Sequence, residues 1–248
     1  MSSSNRTQPE RRFVSNRDES CRMFRSDLVE RLSHVHPAVP HIIFLPVIAV
    51  MLWLSSRTSL GVVRTGEWIL AGFLMWTFTE YVIHRFVFHP PQWIEDDTRR
   101  IVGGLEPGTP IMPEMPTFRH KFYFLVHGNH HDYPNDSRRL VMPPGVSIPL
   151  AIIFYALFAV TVGVAAPAAF AGFVAGYLAY DTTHYLTHHG ATRTAFARYQ
   201  KKRHFRHHYY DSTHDYGVSS PVWDAVWGTL GRSAAERPAG ARHSERAA

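Results

Sequence analysis

The 248-residue chain contains one cysteine, Cys21. An internal disulfide framework is therefore excluded, and so is any zinc or iron–sulfur site held by several cysteines. A cleavable leader is not expected either, because the charged start is not followed by an apolar stretch. No nucleic-acid-binding module is recognisable, so the net charge of +6 and the pI near 9.6 are all that favours such a partner. Nucleic acid is not expected as a partner. A mean hydropathy of −0.17 looks ordinary, but polar ends dilute a very apolar middle. Histidine, by contrast, is abundant: 17 residues against 20 acidic ones.

Residues 1–40 carry seven arginines, and Met23 to Leu32 has the mixed three- and four-residue apolar spacing of a short interfacial helix. Four apolar segments follow, Ile42–Leu54, Trp68–Thr79, Val146–Ala166 and Ala168–Tyr180, the last two divided at Pro167. A bilayer core of about 30 Å takes roughly 20 helical residues. The third segment reaches that length alone. The second and fourth reach it by running on into Glu80–His84 and Asp181–His184. Lys and Arg concentrate in 1–40, 88–145 and 188–248, which by the positive-inside rule places both termini and the long middle loop in the cytoplasm. The fold expected is an all-α integral membrane protein with about four transmembrane helices, or two hairpins, under a cytosolic histidine-rich cap. Residues 41–230 form that domain, and 231–248 are expected to be a disordered tail.

Four histidine clusters punctuate the chain: His84/His89, His127/His130/His131, His184/His188/His189 and His204/His207/His208. Helical positions i, i+3 and i+4 share a face, so each HXXHH triplet is expected to converge on one point. His84 and His89 are five apart, and Pro90–Pro91 end their helix so that His89 can turn back. Neutral imidazole suits iron, zinc, copper and nickel, and a single site is full at about four ligands. Ten histidines, 84, 89, 127, 130, 131, 184, 188, 204, 207 and 208, therefore point to two metal ions. His34, His36, His41, His120, His214 and His243 are read as ordinary side chains, and His189 is left open. Glu80, four before His84, and Asp181, three before His184, are placed to receive the second ring N–H of a ligand. Arg138 and Arg139 read as lipid-facing anchors. Lys201–Lys202–Arg203 reads either as a docking patch for an acidic electron donor or as a solvated face.

The boxes HX4H, HXXHH, HX3HH and HXXHH resemble those of the fatty acid hydroxylase/sterol desaturase superfamily. The flanking text, HGNHHDYPNDSRRLVMPP (127–144), YDTTHYLTHH (180–189) and HFRHHYYDSTHDYGVSSPVWDAVWGTL (204–230), is similar to that of the fatty acid 2-hydroxylases. The resemblance implies an O2-dependent di-metal enzyme, functionally iron, with zinc able to occupy the site in isolated protein. Its ligands would be the ten histidines above. It would hydroxylate carbon 2 of a fatty acyl chain, often that of a sphingolipid. Electrons would come from a separate donor, cytochrome b5- or ferredoxin-like, since the first 40 residues are too short for the cytochrome b5 domain that eukaryotic members often carry. Membrane lipid is the expected partner, and a bacterial inner membrane is favoured over the endoplasmic reticulum. Sterol or lipid desaturation and carotenoid hydroxylation use the same boxes, and the flanks argue against both. A membrane metal-binding or transport protein would place its ligands near the bilayer midplane, whereas these lie at the segment ends.

Overall fold

A computed structural model describes residues 12–231, all-helical with no strand among the described residues. The expected tail, His243 included, lies outside them. A short helix α1 (Asp27–Leu32) is capped by Ser26, whose side chain accepts from the Val29 N–H. The two long hairpins are α2 (Val39–Ser56) with α3 (Val62–Ile83), and α8 (Pro144–Val162) with α9 (Ala166–His189). Between them lie α4 (Gln92–Gly103), α5 (Ile111–Glu114), α6 (Phe118–Tyr123) and α7 (Asn129–Asp132); α10 (Ala195–Tyr209) and α11 (Val222–Val226) follow. Val39–Ser56 and Pro144–His189 are long and apolar enough to cross a membrane.

The second hairpin turns earlier than Pro167. Gly163 takes φ 55° and breaks the helix, a left-handed conformation that costs glycine little. Pro167 instead sits in the first turn of α9, where its missing N–H has no helical partner to lose. Its 24 residues make α9 both the apolar centre of the bundle and the carrier of the third histidine box.

Helix α9 packs against α2, α3 and α8. Phe44, Trp76, Phe170, Phe173, Val174, Tyr177 and Leu178 are buried together there, with the Trp76 and Phe173 rings edge-to-face at 5.1 Å. The outward faces are apolar as well, with Leu45, Trp53, Leu74, Ile152 and Val160 exposed. Shape rather than polarity contrast therefore orders these helices, and small residues decide how closely they approach. A Cβ on Gly72 would lie 1.8 Å from the Ala169 carbonyl oxygen, and one on Gly172 would lie 1.9 Å from that of Ile69.

The N-terminal segment is integral to the cap. The Val14 and Ser15 N–H groups donate to the Asp132 carbonyl at 2.9 and 3.0 Å, and the Ser20 hydroxyl donates to Asp136 at 2.7 Å. Met23 is buried among Val102, Ile111, Met115 and Phe124. Arg139 is not a lipid-facing anchor. It is 4% exposed in its side chain, ion-paired to Glu30 and bonded to the Cys21 carbonyl. An unpaired guanidinium there would be costly, so Glu30 and Arg139 fix the strap together. Leu28, Val29 and Leu32 of α1 remain exposed, the apolar face expected of an interfacial helix.

Replacing Gly172 with Leu should drive α3 and α9 apart. Overpacking of about 1–3 kcal/mol or more corresponds to a fall in melting temperature of roughly 2–4 °C per kcal/mol, measured by thermal denaturation in detergent. Gly163→Leu has open space for its side chain, so its cost should come from backbone strain alone.

Candidate metal centre

Each histidine box sits where a helix ends or changes pitch. Helix α3 passes into a π-helical turn at His84–Phe88, and a second π turn spans Phe124–Gly128 just before α7. The first π turn ends at Phe88, so His89 lies beyond the helix and returns toward His84 from the loop. The Nε2 atoms of His84 and His89 are 3.2 Å apart. His89 itself is extended (φ −101°, ψ 101°) ahead of Pro90, as a residue before proline prefers.

Ten imidazoles gather in two groups of five. His84, His89, His127, His131 and His207 form one, and His130, His184, His188, His204 and His208 form the other; within each, the potential ligand atoms all lie within 4.8 Å of one another. The triplets do not each converge on one point. In both HXXHH boxes the i and i+4 residues enter one group and the i+3 residue enters the other. Successive residues rotate by about 100°, so i+3 and i+4 flank the i direction on opposite sides. The second box gives two residues to the first group and one to the second, and the fourth box does the reverse. His189 belongs to neither group. Of the histidines read as ordinary, His120 is buried and bonded to Thr117, and His41 is bonded to Thr182.

The hydrogen atoms test whether these sites suit cations. His84 Nδ1 faces the Tyr216 carbonyl, His207 Nδ1 faces that of His214 at 2.7 Å, and His89 Nδ1 faces Glu95 at 2.8 Å. Each of these oxygens accepts, so each ring places an N–H at Nδ1 and turns Nε2 toward the cluster. The Nε2 atom of His89 lies 3.2 Å from that of His84 and 3.0 Å from that of His207. Nitrogens this close need a proton or a metal ion between them. Protonation is opposed, because burial first and neighbouring imidazoles second hold His127, His131 and His207 well below the ordinary histidine range. His130, His204 and His208 are lowered in the same way. Neutral rings aimed at shared points are what a divalent cation requires, so the residues fit metal ions.

The surroundings differ from expectation at several residues. Glu80 receives no histidine N–H; it accepts from the Ser219 backbone and hydroxyl, tying the α11 segment to α3. Asp181 receives none either, since its Oδ2 and the Nδ1 of His184 both lack partners. The carboxylate that does meet a ring is Glu95 on α4. Only the amphipathic pattern of α4, with Ile94, Glu95, Thr98 and Val102 inward, could have brought it to notice. Arg203 is neither docking patch nor solvated face. It is buried against Asp215 and Asp224, and Asp224 also receives the Tyr216 and Gly217 N–H groups, which fixes the loop that supplies the Tyr216 carbonyl. Aromatic rings floor the cluster: Phe88 stacks on His127 at 5.0 Å and Tyr180 on His184 at 5.7 Å.

Comparison with known proteins agrees with this geometry. The family model described as fatty acid hydroxylase matches residues 115–229. A dihydroceramide fatty acyl 2-hydroxylase of Arabidopsis thaliana is 34% identical over 214 residues, covering 86% of this chain and 81% of its own length. The fatty acid 2-hydroxylase of Mus musculus is 33% identical over 234 residues, 84% of this chain and 56% of its own length. The solved structure of full-length scs7p, in which only the hydroxylase domain is visible, superposes with a TM-score of 0.72 at 29% identity, over 89% of this chain and 75% of that one. The histidine boxes, the helical scaffold and the extent of these matches have one explanation: the chain belongs to the fatty acid hydroxylase family, whose members are enzymes.

Proposed function

We propose that the two histidine groups hold two metal ions, functionally iron, and that the chain hydroxylates carbon 2 of a membrane lipid acyl chain using O2. The substrate class is a fatty acid or the N-acyl chain of a ceramide-like sphingolipid, as the names of the Arabidopsis and mouse relatives say of those proteins. One observation carries the reading: two sets of five imidazoles whose potential ligand atoms lie within 4.8 Å of one another in each set. Breaking an unactivated C–H bond is beyond acid–base side chains, and the bound metals would supply that redox chemistry.

The protein's own residues would hold, orient and exclude. The Tyr216 and His214 carbonyls and Glu95 fix three ring orientations. Phe88, Trp76, Tyr177 and Tyr180 make an apolar floor that keeps water from below and along which an acyl chain would slide in from the bilayer. Regiochemistry would then depend on placing one carbon beneath the clusters, where a small misplacement costs rate or changes the product. In this reading the two hairpins make four spans and 41–230 is the hydroxylase domain. The histidine cap faces the cytoplasm of a bacterial inner membrane, and a cytochrome b5- or ferredoxin-like donor supplies electrons. The cytoplasmic excess of Lys and Arg supports that orientation.

Mass spectrometry of total lipids from a host expressing the chain should show acyl chains that gain one oxygen at carbon 2, falling to background with His207→Ala. Chains that instead lose two hydrogens would identify a desaturase. Metal analysis should find less metal in His130→Ala and His207→Ala than in the intact protein; full metal and turnover in both would refute the assignment. Acid should destabilise the chelated, metal-free protein. Six buried imidazoles have folded-state values below the unfolded value of about 6.5. As pH falls through that value the unfolded chain takes up protons that the folded chain refuses, so stability is lost. Asp132, raised to about 7, and Asp224, also raised, act in the opposite sense, two groups against six. Thermal melts from pH 8 to pH 5 should fall steadily without metal.

A further inference from the structure

The two groups of five are alike in ligand type and unlike in what stands behind the ligands. Behind the first, three Nδ1–H groups are taken, two by the Tyr216 and His214 carbonyls and one by the Glu95 carboxylate. Behind the second, the Nδ1 atoms of His184, His188, His204 and His208 are buried without a hydrogen-bond partner among the described residues. An acceptor on the far nitrogen fixes the tautomer, holds the ring plane and makes the near nitrogen a stronger donor to metal. An imidazole without one must be oriented by packing alone.

Glu95 adds charge to this asymmetry. It is 4% exposed, and its other oxygen accepts from the Ser212 hydroxyl at 3.0 Å. Among the described residues it makes no ion pair with Lys or Arg; nearby Arg99 pairs with Asp96 and Asp132 instead. Its hydrogen-bond partners are the His89 ring and the Ser212 hydroxyl, so it is held between a candidate ligand and the loop before α11. A metal ion on the other side of the His89 ring would be linked to Glu95 through the imidazole.

We propose that Glu95 is a positioning residue that makes the His84/His89/His127/His131/His207 group the tighter of the two metal sites, so that ions load there first and leave there last. This rests on the two-metal reading above. The second group is correspondingly the labile one.

The test uses the full chain in detergent, loaded with Zn2+ alone and titrated with a chelator while metal per chain is measured by mass spectrometry. The intact protein should release zinc in two steps. His204→Ala should remove the weak step and keep the tight one, and His131→Ala should do the reverse. Glu95→Gln keeps an oxygen acceptor for His89 and removes the charge. It should weaken the tight step by about 10–100-fold, with circular dichroism and gel filtration unchanged. Release in a single step, a tight step that survives His131→Ala but not His204→Ala, or an unshifted tight step in a folded Glu95→Gln would each overturn the proposal. If Glu95→Gln does not fold, Glu95→Asp, which shortens the side chain away from His89 and keeps the carboxyl group, should weaken the same step, and an unshifted step would overturn the proposal. Intact protein that takes up no zinc would instead refute the two-metal reading itself.

Discussion

The convergence of ten buried or half-buried imidazoles is the constraint around which the rest of this structure is arranged. Ten rings point their nitrogens at two small volumes, with the closest Nε2 pairs 2.8–3.2 Å apart. The scaffold brings these rings together. Helices α3 and α9 do this from below by approaching until Gly72 and Gly172 meet opposing backbone. From above, α10 is held by Arg203 and Arg206 on the buried Asp215. The N-terminal strap closes the remaining side through Asp132, Asp136 and Arg139.

Much of this was legible in the sequence, and the limits have physical causes. The four apolar segments became four long helices, because length and apolar content are local properties. The ten box histidines are the ten the structure gathers, because helical spacing shows which side chains face a common direction. The partition between groups was not legible. Positions i+3 and i+4 lie close enough to share one face, and only the placement of a second helix reveals that they serve different centres. The reversal at Gly163 rather than Pro167 escaped for a related reason: a proline is compatible with a helix start, and the positive φ that makes the turn leaves no mark beyond one glycine among several.

Charge was the least legible feature. Arg139 and Arg203 sit in basic runs that read as surface, yet each is buried on carboxylates far away in sequence, Glu30 for one and Asp215 and Asp224 for the other. Glu95 was missed for the opposite reason, being an unremarkable acid in a charged helix whose partner, His89, is supplied by a different element. A one-dimensional charge count cannot distinguish a solvated side chain from one whose partner arrives by folding.

The crossed sharing of the second and fourth boxes has a consequence for motion. Within α7, neighbouring residues 130 and 131 belong to different centres, as do neighbouring residues 207 and 208 within α10. The interval between the centres is therefore set by a single residue step along a helix, twice over, rather than by how two bodies dock. A hinge or shear between the hairpins cannot lengthen it without unwinding a helical turn. Whatever breathing admits a lipid and lets it go must take place around this fixed interval, in the aromatic floor or the strap.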